Sequence, residues 1–197
     1  MKSTKDLPQN GIAYKVFKPV PALIDFVESF WMLTNHSETE KAIVVLPDGC
    51  FELLFTFQES EPLAVSLLKL QSQPKAKISK SKSVIYSNSF KLLALEYIFK
   101  MKISDFKDDK LNLPDLFWDI NKSDLTTFED FVNKATLKIE ELTKGNIDER
   151  KQNLFQLVNG SKSSIRSKIS VENVNDVKNH AVGMEPKWHT YGMLLTL

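Results

Sequence analysis

Residues 45–55 read Val45-Leu46-Pro47-Asp48-Gly49-Cys50-Phe51-Glu52-Leu53-Leu54-Phe55 and join two apolar runs through a turn. The run at 42–46 is β-branched and apolar, which predicts a buried strand. Pro47-Asp48-Gly49 is a strong turn signal, because proline presets φ, aspartate bonds nearby backbone N–H groups and glycine accepts a positive φ. The odd positions from Phe51 to Phe57 are all apolar, which is typical of a strand with one buried face. We therefore expect a hairpin around this turn.

The residues before this hairpin predict one strand, one helix and a return to strand. Residues 12–17 alternate as in a short strand. Pro21 suits the first turn of a helix, and the apolar positions from Ala22 to Phe30 recur at helical spacing. Residues 30–33 then indicate another strand.

The residues after the hairpin also read mainly as strands. A turn at 59–62 leads into an apolar run at 63–70, and the polar, lysine-rich residues 71–83 indicate a loop or a solvated edge. Two further apolar segments follow, at 84–86 and 90–98. The second fits either a strand or a passage from strand into helix, and we favour the strand.

After residue 104 the spacing of the apolar residues changes from that of a strand to that of a helix. Apolar residues from Phe128 to Leu142 lie on one helix face, and Thr127 with Asp130 can form a capping box at its start. Gly145 suits the end of this helix, and a second amphipathic helix is expected over 148–158. The apolar face of the first helix could serve core packing, dimer pairing, or both.

These patterns predict an α+β fold: a strand-rich, barrel-like or twisted-sheet N-terminal domain followed by two or three helices. We expect three regions, namely a strand-rich domain at 1–103, a helical linking region at 104–160 and a weakly patterned segment at 161–197. The 197 residues, 42% of them hydrophobic and including thirteen Phe, are enough for a real core.

Charge and cysteine content narrow the class of protein. The net charge of +1 is not the excess of positive charge that is typical of nucleic-acid-binding proteins. A local excess of eight lysines over one acid, Glu96, lies between Lys69 and Lys102, and solvated loops and edge strands explain it most simply. The single cysteine, the absence of a signal-like N-terminus and the lack of a long apolar run favour the cytoplasm and no membrane partner.

Few residues suggest chemistry. Three histidines, far apart in the sequence, show no metal-ligand spacing, so we expect neither a metal nor another cofactor. Asp48 and Glu52 could mark a ligand-facing rim, but we favour Asp48 bonding backbone N–H groups and Glu52 on the solvent face of a strand. Cys50 is expected to be a small buried residue. No nucleophile elbow or glycine-rich phosphate loop is present, and no catalytic residue is predicted.

Aromatic residues provide the candidate ligand pocket. Trp31, Phe55 and Phe57 could line a small-molecule pocket inside the strand-rich domain. Phe30 is a further candidate. Plain core packing would use the same four residues and is the interpretation that we favour. The turn residues Pro47, Asp48 and Gly49 are predicted to be structural.

Two segments resemble a known family. Residues 21–31, Pro21-Ala22-Leu23-Ile24-Asp25-Phe26-Val27-Glu28-Ser29-Phe30-Trp31, and residues 45–55 together resemble the N-terminal sensor domain of a group of bacterial AraC-type transcriptional regulators. That group has a proline, a leucine and an aromatic-Trp pair, then a Pro-Asp-Gly turn and a Glu-Leu strand. Residues 90–113 resemble its passage from the sheet into the linking helices.

The resemblance implies a regulatory domain that senses a small-molecule effector and pairs as a homodimer. The family's DNA-binding half needs more residues than the 37 that follow Gly160, although 182–187 resembles its end. We therefore expect a truncated or degenerate DNA-binding half, or a damaged reading frame, and DNA as a partner only if residues 161–197 function. A stand-alone small-molecule-binding module is the alternative, followed by a small barrel enzyme.

Overall fold

The computed structural model describes residues 11–102, 110–114 and 116–144, together with the backbone of residues 193 and 194. Within these residues the chain forms two antiparallel sheets and two α-helices, in the predicted α+β class. The strands are β1 (Ile12–Phe17), β2 (Val27–Asn35), β3 (Lys41–Val45), β4 (Phe51–Gln58), β5 (Ala64–Leu68), β6 (Lys75–Ser79), β7 (Ser83–Phe90), β8 (Lys110–Leu113) and β9 (Met193–Leu194). The helices are α1 (Leu93–Tyr97) and α2 (Phe128–Thr143), and single 3-10 turns lie at Pro21–Leu23, Phe117–Asp119 and Lys122–Asp124.

The larger sheet has the strand order β1-β2-β7-β4-β5-β8, and the smaller one has the order β6-β3-β9. Strand β7 lies between β2 and β4, opposing Trp31 with Ser87 on one side and Glu52 with Ser89 on the other. Strand β8 adds to the edge of the sheet beside β5, so the larger sheet continues beyond residue 103. The central strands are thus supplied by three separate parts of the sequence.

The larger sheet is covered on both faces. Side chains alternate along each strand, so Phe51, Leu53 and Phe55 of β4 share one face and enter the main core. On this face the rings of Phe55 and Phe131 of α2 meet edge to face, with centroids 5.3 Å apart. On the opposite face a second cluster packs against Ile43 of the smaller sheet. The structure is therefore layered as helices, larger sheet and smaller sheet.

Helix α2 matches the helix predicted from residue 128 onward. Thr127 caps it by accepting from the Asp130 N–H at 3.1 Å, and the Asp130 carboxylate accepts from the Thr127 N–H, so the predicted capping box is confirmed. Its apolar face is buried on the larger sheet, through Phe128, Phe131, Val132, Ala135 and Ile139. Of the uses open to this face, core packing is the one observed.

The prediction of a hairpin around Pro47-Asp48-Gly49 is wrong. Strand β3 pairs with β6 and β9, whereas β4 pairs with β5 and β7, so the turn carries the chain from the smaller sheet to the larger one. The length of this five-residue connection would permit a hairpin, so the pairing is decided by the strands that β3 and β4 meet elsewhere in the chain, β6 for β3 and β7 for β4. The β4–β5 hairpin, by contrast, forms around the predicted turn at 59–62.

The prediction of a helix between residues 21 and 30 is also wrong. Only one 3-10 turn forms, at Pro21–Leu23, and β2 begins at Val27. Its β-branched and aromatic residues pair with β1 on one side and β7 on the other, and this pairing outweighs the local helical spacing. Phe26, Val27 and Phe30 are buried in the main core, as a helix would also have required.

The segment 90–98, expected to be a strand, is the end of β7 followed by α1. Leucine, alanine and glutamate are strong helix formers, and here that propensity decides the conformation. The predicted strands at 12–17 and 63–70 are confirmed by β1 and β5. The solvated edge predicted within 71–83 is β6, an edge strand of the smaller sheet that carries Lys75 and Lys77.

Several predictions fall outside the described residues. The helix predicted over 148–158 and the Gly145 helix end lie there, as does nearly all of the segment 161–197. Of that segment, the backbone of Met193 and Leu194 pairs with Val45 and Val44 of β3. The region boundaries at 103 and 160 stay predictions.

Candidate functional site

A pocket lies between the two sheets, on the face of the larger sheet away from the helices. Its volume is about 60 Å³, which is room for roughly four water molecules. The larger sheet contributes Trp31, Glu52 and Leu54, and the smaller sheet contributes Ile43 and Val45. The remaining lining residues are Tyr14, Leu46, Asp48, Cys50, Leu68, Lys69, Gln71, Lys77 and Ile85. The walls are thus mainly apolar, with a few charged groups.

The carboxylate of Glu52 is held by three donors on neighbouring strands. Its Oε2 accepts from the Trp31 indole N–H at 3.0 Å and from the Ser87 hydroxyl at 2.7 Å. The Ser89 hydroxyl lies 2.7 Å from Oε1 and 2.9 Å from Oε2. Trp31, Ser87 and Ser89 are all buried. The indole N–H, which also lies 3.1 Å from the Ser89 hydroxyl oxygen, can only donate, whereas each serine hydroxyl can donate to the ionised carboxylate or accept from its protonated form.

The protonation of Glu52 is nevertheless shifted. Burial and, to a smaller extent, the negative charge of Asp48 raise the pKa of its carboxyl to about 8, against the opposing effect of the hydrogen bonds from Ser87, Ser89 and Trp31. The loss of hydration therefore outweighs the three donors. In the described part of the chain no ion pair is formed by Glu52. A positive charge brought beside it would favour its ionised form.

The turn before β4 places further groups on the pocket. The Asp48 carboxylate accepts from the Cys50 N–H at 2.8 Å, so its predicted role in the turn is confirmed. Gly49 has φ of +74°, in the left-handed region where glycine is favoured. Cys50 is buried, as expected. The turn that links the sheets therefore also forms one wall of the pocket.

The three aromatic residues predicted for a pocket are divided between the two faces of the larger sheet. Trp31 lines the pocket, and its ring centroid lies 6.0 Å from that of Tyr14. Phe55 packs on Phe131 of α2, and Phe57 meets the ring of Tyr86 edge to face at 5.4 Å. Trp31 is on the opposite side of the sheet because it belongs to the opposite set of alternating positions.

Glu52 lies on the pocket face and not in open solvent, which corrects the favoured sequence interpretation. Its partners Ser87 and Ser89 were not singled out from the sequence. Their spacing of two residues, matched by Ile85 on the same face, is the signal that could have indicated a shared environment. The sequence pattern does not reveal the strand register, and it is this register that places Ser89 opposite Glu52.

Two lysines complete the charged groups of the pocket. Lys69 follows β5 and Lys77 lies on β6, opposite Ile43 of β3. Both are partly exposed, whereas the donors to Glu52 are buried. Glu52 and Asp48 are partly exposed as well, so the pocket is lined by two acidic and two basic groups.

The site lies in a part of the chain that is similar to a known family model. Residues 15–112 match the family described as Domain of unknown function (DUF6597). This domain contains Trp31, Glu52, Ser87 and Ser89, and so includes the whole Glu52 network. No significant match was found among curated proteins or among solved structures.

Among residues 11–102, 110–114 and 116–144, no three His, Cys, Asp or Glu side chains are grouped so that they could hold a metal ion. No helix there has the length and apolar character needed to cross a membrane.

Proposed function

We propose that this chain is the ligand-sensing part of an AraC-type transcriptional regulator, and that a small-molecule effector binds between its two sheets. The observation that carries the proposal is a pocket with apolar walls from both sheets and a hydrogen-bonded, partly buried carboxylate, Glu52, in its lining. Such a combination of apolar surface and few oriented polar groups is typical of small-molecule sites.

The segments that resemble AraC-type sensors support this proposal by their position. The first, residues 21–31, ends at Trp31, and the second, residues 45–55, supplies Leu46, Asp48, Cys50, Glu52 and Leu54 to the pocket. The second segment also passes from one sheet to the other. An effector in contact with it would touch both sheets and favour one arrangement of them, which is how a ligand shifts a conformational equilibrium.

The regulator would act as a homodimer, with DNA binding reduced or lost. The apolar face of α2 is occupied by the larger sheet, so pairing would use other surfaces. Leu137, on the outer side of α2, is 67% exposed and is one candidate contact. Sedimentation of the chain with and without effector tests the pairing.

The sensing function is tested by screening chemically diverse metabolites for a rise in melting temperature. A ligand that binds only the folded state stabilises it by mass action. Leu54→Trp would fill the pocket, and Leu137→Trp places the same side chain on the exposed surface of α2 as the matched control. We expect hits that are lost in the first variant and kept in the second. Equal responses of both variants, or no hit, would contradict effector binding in this pocket.

The regulatory function is tested separately, by DNA binding of the chain over a salt series with upstream genomic and random fragments. Weak, strongly salt-dependent binding that ignores sequence is the expected result. Tight, selective binding would show that the DNA-reading function is retained.

A further inference from the structure

We infer that the ligand of this pocket is a small organic cation, an ammonium group on a compact apolar body, with the ammonium seated against Glu52 and the rings of Trp31 and Tyr14. The inference rests on the proposed binding function and specifies its ligand class. It is carried by the geometry of the cavity, in which the Glu52 carboxylate contacts Trp31, and the Trp31 ring lies beside that of Tyr14.

The carboxylate is already oriented for a cation. Trp31, Ser87 and Ser89 donate to it from 2.7–3.0 Å, which leaves lone pairs for a further donor from the pocket side. An incoming ammonium supplies N–H donors and a positive charge together. Charge-assisted hydrogen bonds of this type are stronger than neutral ones, particularly away from water.

The aromatic rings add a second attraction for positive charge. Trp31 and Tyr14 both line the pocket, and their planes are tilted by 41° at a centroid distance of 6.0 Å. Tryptophan and tyrosine faces attract ammonium groups through the negative potential of the ring. Ile43, Val45, Leu54 and Ile85 provide the apolar surface for the rest of a small ligand.

The other charged groups of the pocket act in both directions. Asp48 carries a negative charge that acts on Glu52 and would also attract a cation. Lys69 and Lys77, both partly exposed, would repel one. The titratable groups that line the pocket besides Glu52 are Tyr14, Asp48, Cys50, Lys69 and Lys77. Glu52 forms no ion pair in the described residues, so a cation beside it would compete with a proton and not with a lysine contact.

The binding should depend on pH in a defined direction. Burial raises the pKa of Glu52 to about 8 in the empty protein, so a cation must compete with a proton. An alkylamine stays protonated to about pH 10, like lysine. Its affinity should therefore rise by up to about tenfold per pH unit between about pH 6 and pH 8, and level off above.

The experiment is calorimetric titration of the full chain with isobutylamine, isobutanol and isobutyrate, which share a shape and differ in charge. The amine should bind about tenfold or more tighter than the other two, since only it gains a charge-assisted bond. Glu52→Gln should abolish this preference, so that the amine and the alcohol bind with similar affinity. If that variant does not fold, Asp48→Asn should weaken the amine selectively, and the pH series needs no variant.

The outcomes separate this inference from the proposed function. Alcohol or carboxylate binding as tight as that of the amine would overturn the cation and leave the pocket as a small-molecule site. An amine preference that persists in Glu52→Gln would overturn the role of Glu52. No binding by any of the three probes would overturn the inference, and the metabolite screen would then decide whether the pocket binds anything else.

Discussion

The indole N–H of Trp31 on β2 donates to the Glu52 carboxylate on β4 at 3.0 Å, across the intervening strand β7. Two serines of β7 donate to the same carboxylate. One acidic side chain thus joins three strands of the larger sheet on the face that lines the pocket. A group in this position links the stability of the sheet to the proton and ligand equilibria of the site.

The first prediction concerns stability against pH. In the folded protein burial raises the pKa of Glu52 to about 8 from its ordinary value of 4.5, so between these values the folded state holds a proton that the unfolded state has lost. The contribution of Glu52 to the free energy of unfolding should therefore fall as pH rises through this window, by up to about 1.4 kcal/mol per unit. Below the window both states are protonated and the contribution is constant.

Urea unfolding of the wild type and Glu52→Gln between about pH 5 and pH 8 checks this sign. The glutamine variant cannot titrate at this position and should show a flatter profile. Parallel profiles for the two proteins would contradict the raised pKa.

The second prediction concerns the indole donor. Trp31→Phe keeps a ring but removes the N–H, leaving the buried Glu52 with one donor fewer, and should reduce the free energy of unfolding by about 1–3 kcal/mol. It should also raise the pKa of Glu52 further, because a hydrogen bond that lowers the pKa is lost.

A double-mutant cycle with Glu52→Gln measures this interaction directly. The effect of Trp31→Phe should be smaller in the glutamine background than in the wild type. Strict additivity of the two substitutions would show that the hydrogen bond contributes nothing to stability.

The third prediction concerns the turn between the sheets. Gly49 has φ of +74°, which a β-branched residue tolerates poorly. Gly49→Val should therefore lower the free energy of unfolding by about 1–3 kcal/mol. Asparagine visits this region more readily, so Gly49→Asn is the matched control and should cost less. Thermal unfolding measures both variants. Equal melting temperatures of the valine variant and the wild type would rule out a conformational requirement at this position.

The fourth prediction concerns the start of α2. Thr127→Ala removes the side-chain acceptor for the Asp130 N–H and should lower the free energy of unfolding by about 1 kcal/mol. Thr126, the neighbouring exposed threonine, does not cap this helix, so Thr126→Ala is the control and should cost less. Chemical denaturation distinguishes the two, and equal losses would argue against the capping box as the cause.

Local patterns in the sequence were sufficient for several elements. The alternation from Phe51 to Phe57 gave β4 with its buried face, and Thr127 with Asp130 located the start of α2. Both depend on interactions within a few residues. The helix expected after Pro21 failed because Val27–Asn35 gains two pairing strands, which no local pattern displays.

In the pocket, too, local sequence patterns predicted some features, and strand pairing decided the others. Trp31 was predicted together with Phe55 and Phe57, but a sequence pattern does not say on which face of a sheet each strand's alternating set will lie. Register decides that, since a shift of one residue exchanges the two faces. In the observed register Trp31 joins Glu52, while Phe55 joins the core beneath α2.

The amino-acid sequence by itself determined the α+β class, the strand character of β1, β4 and β5, the positive-φ turn at Gly49 and the capped helix α2, because each follows from side-chain spacing and local hydrogen bonding. Only the tertiary structure decided that the turn joins two sheets and that Glu52 is enclosed at the pocket between them. The donors to Glu52 come from Trp31, Ser87 and Ser89, which are 21, 35 and 37 residues away in the chain. Its burial and its shifted pKa therefore arise from strands that meet only when the whole sheet has formed.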